Sequence, residues 1–493
     1  MKKSALLIAW LLLLASLITA CSSGDTAPDQ GNQTNDTNSD NGEVTAVAAE
    51  TADDLVDALG AYDFDGYKFT FITRSFTAPT FNASLNIAEE NGEVLNDELY
   101  RRNRRIEDRF NITFDEIVTT SGNTTEARTA IIAGDAAYDI ITTRCVYAFE
   151  YAQEGLLYTV NNLPEVDLSR EYWNQSLLKE LSIGNKNYFA SGAFNLTSYD
   201  FSHCLLFNKE IANDYNMGDI YSVVTDHQWT FDKMNSLMTE VTQDINGDGV
   251  MTIADQYGIL SASKQLPPNF WISAGTRSVY KNSDDIPEFK MGADEKFHQV
   301  LDKAFRIILD NNAWYITTDQ TNIPPDAITM FQNNQSLLID MTCFFIQSFR
   351  AMDADFGIIP YPLWNEQQDT YYSRIEGCEL FCVPVTNGDL EMTGVILEAM
   401  ASESARNVMP AYYEVALKGK YARDEESEKM LDIIFADLIF DFGDTIWCPD
   451  VRDGIFFNMM SNNDRDLASK VDALATKVNT LIDKTITAFN ELD

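Results

Sequence analysis

Positive charge is what this sequence lacks most. Its 493 residues hold 35 Lys and Arg against 76 Asp and Glu, a formal charge of −41. So acidic a chain repels phosphate backbones and anionic headgroups, which removes nucleic acid and direct headgroup binding from the expected partners. Histidine is nearly missing. Only His203, His227 and His298 are present, poor material for a zinc site or a histidine-based triad. Cysteine is scarce too, and none of the seven has metal-ligand or redox spacing. There is no phosphate loop, nucleophile elbow or histidine-rich metal motif. Counting alone leaves a glycosidase-type acid pair open among so many carboxylates, yet no motif marks one, and an enzyme is not expected. The apolar run Ala5–Leu14 is too short for a comfortable membrane-spanning helix.

What that run does form is the core of an export signal. Met1-Lys2-Lys3 precedes it, and Leu17-Ile18-Thr19-Ala20-Cys21 follows. The last five residues resemble a bacterial lipobox, in which the cysteine is lipidated and becomes the first residue of the mature chain. The alternative is an ordinary signal peptide with a chance cysteine at its end. Residues 1–20 are read as the signal. Residues 21–52 are read as the lipidated Cys21 and a disordered tether, because SSGDTAPDQGNQTNDTNSDNGEVTA has almost no apolar residue to build a core. Each buried methylene of an acyl chain contributes about 0.8 kcal/mol, enough to hold a soluble body on a membrane surface. The body is therefore expected on the extracellular side of the cell membrane, held by its lipid anchor alone. It spans about 440 residues, ample for two lobes with buried cores. Six cysteines remain there: Cys145, Cys204, Cys343, Cys378, Cys382 and Cys448. An even number in an exported chain permits disulfides. Most of them sit beside apolar runs, and free buried thiols are the favoured reading.

Along the body, Tyr67–Arg74 alternates as a strand. Asn96–Phe110 reads as a helix with Asn96 or Asp97 as N-cap. Asn111–Val118 reads as a strand, Thr124–Gly134 as a helix, Tyr138–Thr143 as a strand and Val146–Leu157 as a helix. Strands separated by helix-length crossovers signal a mostly parallel α/β sheet. Further strands are expected at Lys186–Ala193, His203–Phe207, Gln335–Met341, Asp355–Pro360 and Cys378–Pro384. Helices are expected at Thr230–Gln243, Glu295–Asn311, Asp389–Ser402, Arg406–Leu417, Ser427–Phe440 and Leu467–Leu492. A chain that builds an α/β unit, leaves it, returns and leaves again suggests two lobes joined by several crossovers.

Several stretches in order carry a resemblance. They are NDELYRRNRRIEDRFNITF (Asn96–Phe114), YDII (Tyr138–Ile141), EGLLYTVNNLPEVDLSREYW (Glu154–Trp173), LSIGNKNYFASG (Leu181–Gly192), LLFNKEIANDYNM (Leu205–Met217), WTFDKM (Trp229–Met234) and DINGDGVMTIADQYGIL (Asp244–Leu260). Together the chain resembles the extracellular solute-binding proteins of bacterial ABC importers, in the large sugar-binding, family 1-like group. The resemblance implies a two-lobe periplasmic-binding-protein-like α/β fold of type II. Each lobe would be a mixed sheet flanked by helices, joined by a multi-strand hinge. On this reading 53–194 is lobe 1, 195–338 is lobe 2, 339–400 returns to lobe 1, and 401–493 is a helical part mainly in lobe 2. The implied partners are a small solute, an oligosaccharide first, and the permease subunits of an importer, with the chain itself a monomer. A peptide or other small polar solute is the runner-up, and behind it a surface glycan-binding lipoprotein not coupled to transport. The ligand contacts of this group vary too much to transfer.

Candidate sites follow from the residues themselves. Asp244–Asp255 matches a twelve-residue calcium loop, with Asp244, Asn246, Asp248, the Val250 carbonyl, Thr252 and Asp255 at the ligand positions and Gly249 at the turn. Asp255 is shorter than the usual glutamate. A structural Ca2+ is expected there, the alternative being an acidic turn without an ion, and no organic cofactor is expected. Sugar rings present apolar faces that stack on aromatics. Of Trp173, Trp229, Trp271, Trp314, Trp364 and Trp447, the best placed is Trp271, beside a turn in NFWISAG. Ligands of α/β sheets bind beyond the carboxyl ends of strands. That singles out Arg74 and Arg144, then Tyr199 and Asp200 in a crossover, and Glu376 before a return strand.

Overall fold

Strand β1 (Tyr67–Arg74) organises the first sheet. Its alternation sends Phe69 and Phe71 into one apolar cluster and Ile72 into another. Both faces are covered, as a central parallel strand requires. Helix α1 (Val94–Phe110) leads to β2 (Ile112–Thr119), which runs parallel to β1 from Tyr67↔Ile112 to Arg74↔Thr119. Helix α2 (Thr125–Ile132) leads to β3 (Ile140–Arg144), parallel to β1 on its other side, and α3 (Cys145–Gln153) follows at once. The chain then departs for a second sheet: β4 (His203–Asn208), β5 (Tyr257–Ser261), β6 (Trp314–Ile316), β7 (Ser336–Thr342) and β8 (Phe356–Ile359). Their spatial order is β8-β4-β7-β5-β6. It returns with β9 (Glu379–Cys382), antiparallel to β3, which completes a first sheet ordered β9-β3-β1-β2. Two mixed sheets flanked by helices, each fed by segments of both chain halves, make the expected two-lobe α/β architecture. This computed structural model describes residues 56–74, 84–120, 124–316, 325–349, 351–413 and 425–491. The expected signal, Cys21 and the whole of the expected tether lie outside them. Among the described residues no helix is long and apolar enough to cross a membrane.

Three segments run side by side where the lobes join. Ser202 bridges Ile375 in antiparallel fashion, and the Glu376 N–H donates to the Phe201 carbonyl at 3.2 Å. Ser373–Arg374 in turn pairs in parallel with Leu438–Ile439. One outgoing crossover, one return and one C-terminal segment thus form a narrow ribbon.

Several expectations are corrected. Helix α1 starts at Val94, not at Asn96 or Asp97. Asp97 instead reaches back from the first turn, accepting from the N–H groups of Asn91 at 2.8 Å and Gly92 at 3.2 Å. Lys186–Ala193 is no strand. Its residues make single bridges to three different partners, Ile183↔Lys186, Ala190↔Phe381 and Trp173↔Gly192, so no ladder forms. The return to lobe 1 does not begin at residue 339. Strand β8 pairs with β4 and β7 spans the expected boundary, so both stay in the second sheet until the crossover before β9. The part from 401 onward is shared between the lobes. Ser404–Val408 packs on α1 and Glu425–Ala436 on β8, while Leu467–Asn490 packs both on α3 and on Pro287–Glu288 and Met291–Ala293 of the second lobe.

Candidate functional site

The carboxyl ends of β1 and β3 lie side by side, because both strands are parallel and in register from Phe71↔Ile140. Arg74 is the last residue of β1 and Arg144 the last of β3. The return crossover brings Glu376, Gly377 and Cys378 against them, followed by Glu379 at the start of β9, and the outgoing crossover adds Phe201. These seven residues line a cavity of about 200 Å³. Arg74 Nε donates to Glu379 Oε1 at 2.7 Å, while Arg144 stands exposed. Gln265 Nε2 donates to Glu376 Oε1 at 2.9 Å. Among the described residues, Glu376 Oε2 and Glu379 Oε2 accept no hydrogen bond although both are buried.

The two carboxyls differ in their electrostatics. Burial pushes Glu379 up, only partly offset by the Arg74 hydrogen bond and charge. Burial would also raise Glu376, but the neighbouring His203 ring and the positive charges of Arg374 and Arg452 hold it at about 2. Behind Glu376 a fully buried network fixes those charges. Arg374 grips Asp444 with two bonds, Nε to Oδ2 at 2.6 Å and Nη2 to Oδ1 at 2.9 Å. His203 Nδ1 lies 2.9 Å from Asp340 Oδ1, and Ser261 Oγ donates to Asp340 Oδ2 at 2.7 Å. Charged acceptors and guanidinium donors thus converge on one small cavity at the hinge, a surface suited to a polar, hydroxyl-rich group.

Of the residues named from sequence, the fold brings Arg74, Arg144 and Glu376 together here. It does not bring the other three. Tyr199 lines a different cavity, of about 660 Å³, with Trp173, Tyr413 and Phe435. Asp200 is buried and accepts from the Tyr412 hydroxyl at 2.9 Å, a structural contact rather than an open one. Trp271 lies within the helix Leu266–Ser273 and is 1% exposed. Its ring packs 4.3 Å from Phe456 and 6.0 Å from Phe297, so it is a core residue and offers no face to a ligand. Phe201 and Glu379 were missed. The signal for Glu379 was available in Glu376-Gly-Cys-Glu379, two acids around a glycine at a crossover. Phe201 carried none. A larger cavity, about 710 Å³, lies elsewhere, lined by Lys179, Glu180, Arg277, Lys281 and Asp285. Its charges already satisfy one another, with Arg277 on Glu180 at 3.1 Å and Lys281 on Asp285 at 2.9 Å, and it sits away from the strand ends.

The acidic loop folds as a tight turn held by its own side chains. Asp244 accepts from the N–H groups of Gly247 and Gly249, both at 2.7 Å, and Asp248 from that of Val250 at 2.8 Å. Asn246 accepts from Asp248 N–H at 2.8 Å. Gly247 and Gly249 both have positive φ, which the turn needs. Asp244, Asn246 and Asp248 keep lone pairs for an ion. Asp255 fits less well: it is buried, and its oxygens are taken by Ile245 N–H at 3.0 Å and by Thr252 N–H at 2.7 Å and Oγ1 at 3.1 Å. Among the described residues no three carboxylate, imidazole or thiol groups converge as a metal cluster. Any ion here would rest on the Asn246 amide and the Val250 carbonyl as well as on Asp244 and Asp248.

No family model and no curated protein matches the chain. Solved structures do. The ABC substrate-binding protein from Listeria monocytogenes in complex with cycloalternan aligns with a TM-score of 0.54 at 14% identity, over 85% of this chain and 99% of that one. The cyclic alpha-maltosyl-1,6-maltose binding protein from Arthrobacter globiformis gives 0.56 at 13%, over 87% and 99%. UgpB from Mycobacterium tuberculosis in complex with glycerophosphocholine gives 0.52 at 12%, over 85% and 99%. At such identities the likeness is one of fold: the chain has the two-lobe fold of these substrate-binding proteins.

Proposed function

We propose that this chain is the solute-binding component of an ABC importer, a binding protein rather than an enzyme, which captures an oligosaccharide by closing its two lobes. The observation that carries the reading is the convergence of Arg74, Arg144, Glu376 and Glu379 on a cavity where lobe 1 meets the hinge. Sugar hydroxyls both donate and accept, and guanidinium–carboxylate surroundings answer both needs. A ligand touching both lobes binds the closed form better and draws the open–closed equilibrium toward it. The neighbour in complex with cycloalternan and the cyclic alpha-maltosyl-1,6-maltose binding protein support the ligand class. A second reading is a small charged solute, favoured by the exposed Arg144 and by the glycerophosphocholine complex. Lipidation of Cys21, extracellular display on the cell membrane, monomeric state and docking to permease subunits belong to the same proposal. So does a structural Ca2+ held by Asp244, Asn246, Asp248 and the Val250 carbonyl.

A thermal-shift screen of oligosaccharides, glycerophosphodiesters and peptides, followed by calorimetry, tests the ligand. A sugar that stabilises the protein and is recovered unchanged is the expected outcome. Arg144→Ala should then weaken it by about 1.5–3 kcal/mol, the range for a hydrogen bond to a charged group, without altering the melt of the free protein. Steady turnover of the sugar, abolished by one carboxylate substitution, would establish a glycosidase instead. Fatty-acid probe labelling that is equal in wild type and Cys21→Ala would end the anchoring part.

A further inference from the structure

Each of two hinge crossovers ends on a cysteine that faces another cysteine. Cys204 is the second residue of β4, just past the outgoing crossover. The register Cys204↔Met341 places Cys343, two residues further along, on the same face of the sheet as Cys204. Cys343 directly follows β7, and its N–H donates to the Ser202 carbonyl at 2.9 Å, which draws the two strand ends together. The Cys204 thiol is raised by the nearby Cys343 thiol first and by burial second. The return crossover repeats the arrangement in the other lobe. Cys378 immediately precedes β9 and Cys145 immediately follows β3. The register Glu379↔Arg144 sets Cys378 opposite Cys145, and the Cys145 N–H donates to the Cys378 carbonyl at 3.0 Å. Cys204 and Cys343 are diagonal neighbours, whereas Cys145 and Cys378 are opposed, and opposed residues of antiparallel strands lie about 4.5–5.5 Å apart at Cα. That falls within the span of about 4.4–6.8 Å that a disulfide bridges. All four side chains are buried, and all are thiols in the structure.

We propose that these four thiols close as two disulfides, Cys204–Cys343 and Cys145–Cys378, when the chain folds in the presence of a small-molecule disulfide. Each bond pins one crossover to a core strand of the lobe it enters. Six cysteines permit about 15 complete pairings. The fold sets these two pairs side by side and leaves Cys382 and Cys448 as thiols. For each pair, one protein thiolate attacks the oxidant disulfide and expels one small thiolate. The second protein thiolate then displaces the other, so two protein thiols are oxidised, one disulfide is reduced, and the two expelled small thiolates take up the protons the protein thiols gave up. Burial raises the thiols in the folded state, where thiolate is scarce. Closure therefore belongs to folding, and a closed bond is shielded afterwards. The export signal read from residues 1–20 places folding in a compartment where such oxidants persist.

The full chain, refolded with reduced and oxidised glutathione, alkylated in denaturant and digested without reductant, tests this by peptide mapping. The expected map shows Cys204 linked to Cys343, Cys145 linked to Cys378, and Cys21, Cys382 and Cys448 alkylated. A map missing either link, including one with all seven alkylated, overturns the proposal. A second measurement does not depend on a variant folding. Dithiothreitol should lower the melting temperature of the oxidised wild type by several degrees, and identical melts with and without it overturn the proposal. Where the Cys145→Ala/Cys204→Ala/Cys343→Ala/Cys378→Ala chain folds, its melt should not respond to dithiothreitol.

Discussion

Arg374 Nη1 lies 2.8 Å from Nε2 of His203, and a guanidinium can only donate, so the imidazole accepts there and its own proton sits on Nδ1, toward Asp340. One arginine of the return crossover thereby orients a side chain of the second sheet while holding Asp444 of the C-terminal segment. Three parts of the chain are tied through a group that is entirely buried.

Arg374→Ala should therefore cost on the order of 3–5 kcal/mol in urea unfolding, because it leaves Asp444 charged, buried and without its main partner. The Asp444→Asn/Arg374→Met pair, which removes both charges, should recover a large part of that loss. A single-variant cost below about 1 kcal/mol would mean the ion pair is offset elsewhere.

Trp271→Ala should cost about 3–5 kcal/mol, the range for emptying a large aromatic from a core. Trp271→Phe should cost far less. The indole N–H has no hydrogen-bond partner among the described residues, so its loss removes an unpaid polar group along with some packing. Sugar affinity that collapses in Trp271→Phe while the melt stays unchanged would put the ring back in the ligand site.

Acid should destabilise the fold through Glu376. Its folded value of about 2 lies below the ordinary 4.5, so its contribution is present above pH 4.5 and disappears as the pH falls toward 2. Asp340 is shifted in the same direction: burial would raise it, but the hydrogen bonds from His203, Ser261 and Tyr361 lower it. Stability measured from pH 5 to 2 should drop more steeply in the wild type than in Glu376→Gln, which starts lower and has no carboxyl to titrate. Parallel curves would mean that other carboxyls dominate acid unfolding.

The calcium proposal makes a separate demand. A chelator should lower the melting temperature of the wild type, since an ion bound only to the folded loop stabilises it by mass action. It should leave Asp244→Ala/Asp248→Ala unaffected. A wild-type melt indifferent to both chelator and added Ca2+ would reduce the loop to a turn closed by its own amides.

Much of the architecture was legible because hydrophobic period and crossover length are local quantities. Tyr67–Arg74 and His203–Phe207 announce strands on their own, and the departure and return of the chain announce two lobes. What was not legible depends on pairing. Nothing within Lys186–Ala193 reveals that its residues will bridge three different neighbours. Nothing in Asp355–Pro360 says which sheet will claim it. The same distinction divides the site. Arg74, Arg144 and Glu376 were reachable from topology, since strand ends and crossovers meet wherever parallel sheets are built. Trp271 misled because composition gives an aromatic a role only by analogy, and the packing of Phe297 and Phe456 around it is a long-range fact.

The ribbon of three segments at the junction sets how this molecule can open. A single connection would let one lobe swing and spin in any direction, whereas Ser202, Ile375 and Leu438–Ile439 are laid edge to edge and laced by backbone bonds. A laced band folds easily across its narrow dimension and resists shear within its plane. The relative travel of the two lobes is thereby reduced to one coordinate, like a book on its spine. On the proposed solute-binding function, ligands of different length would alter how far the book shuts and leave the direction unchanged.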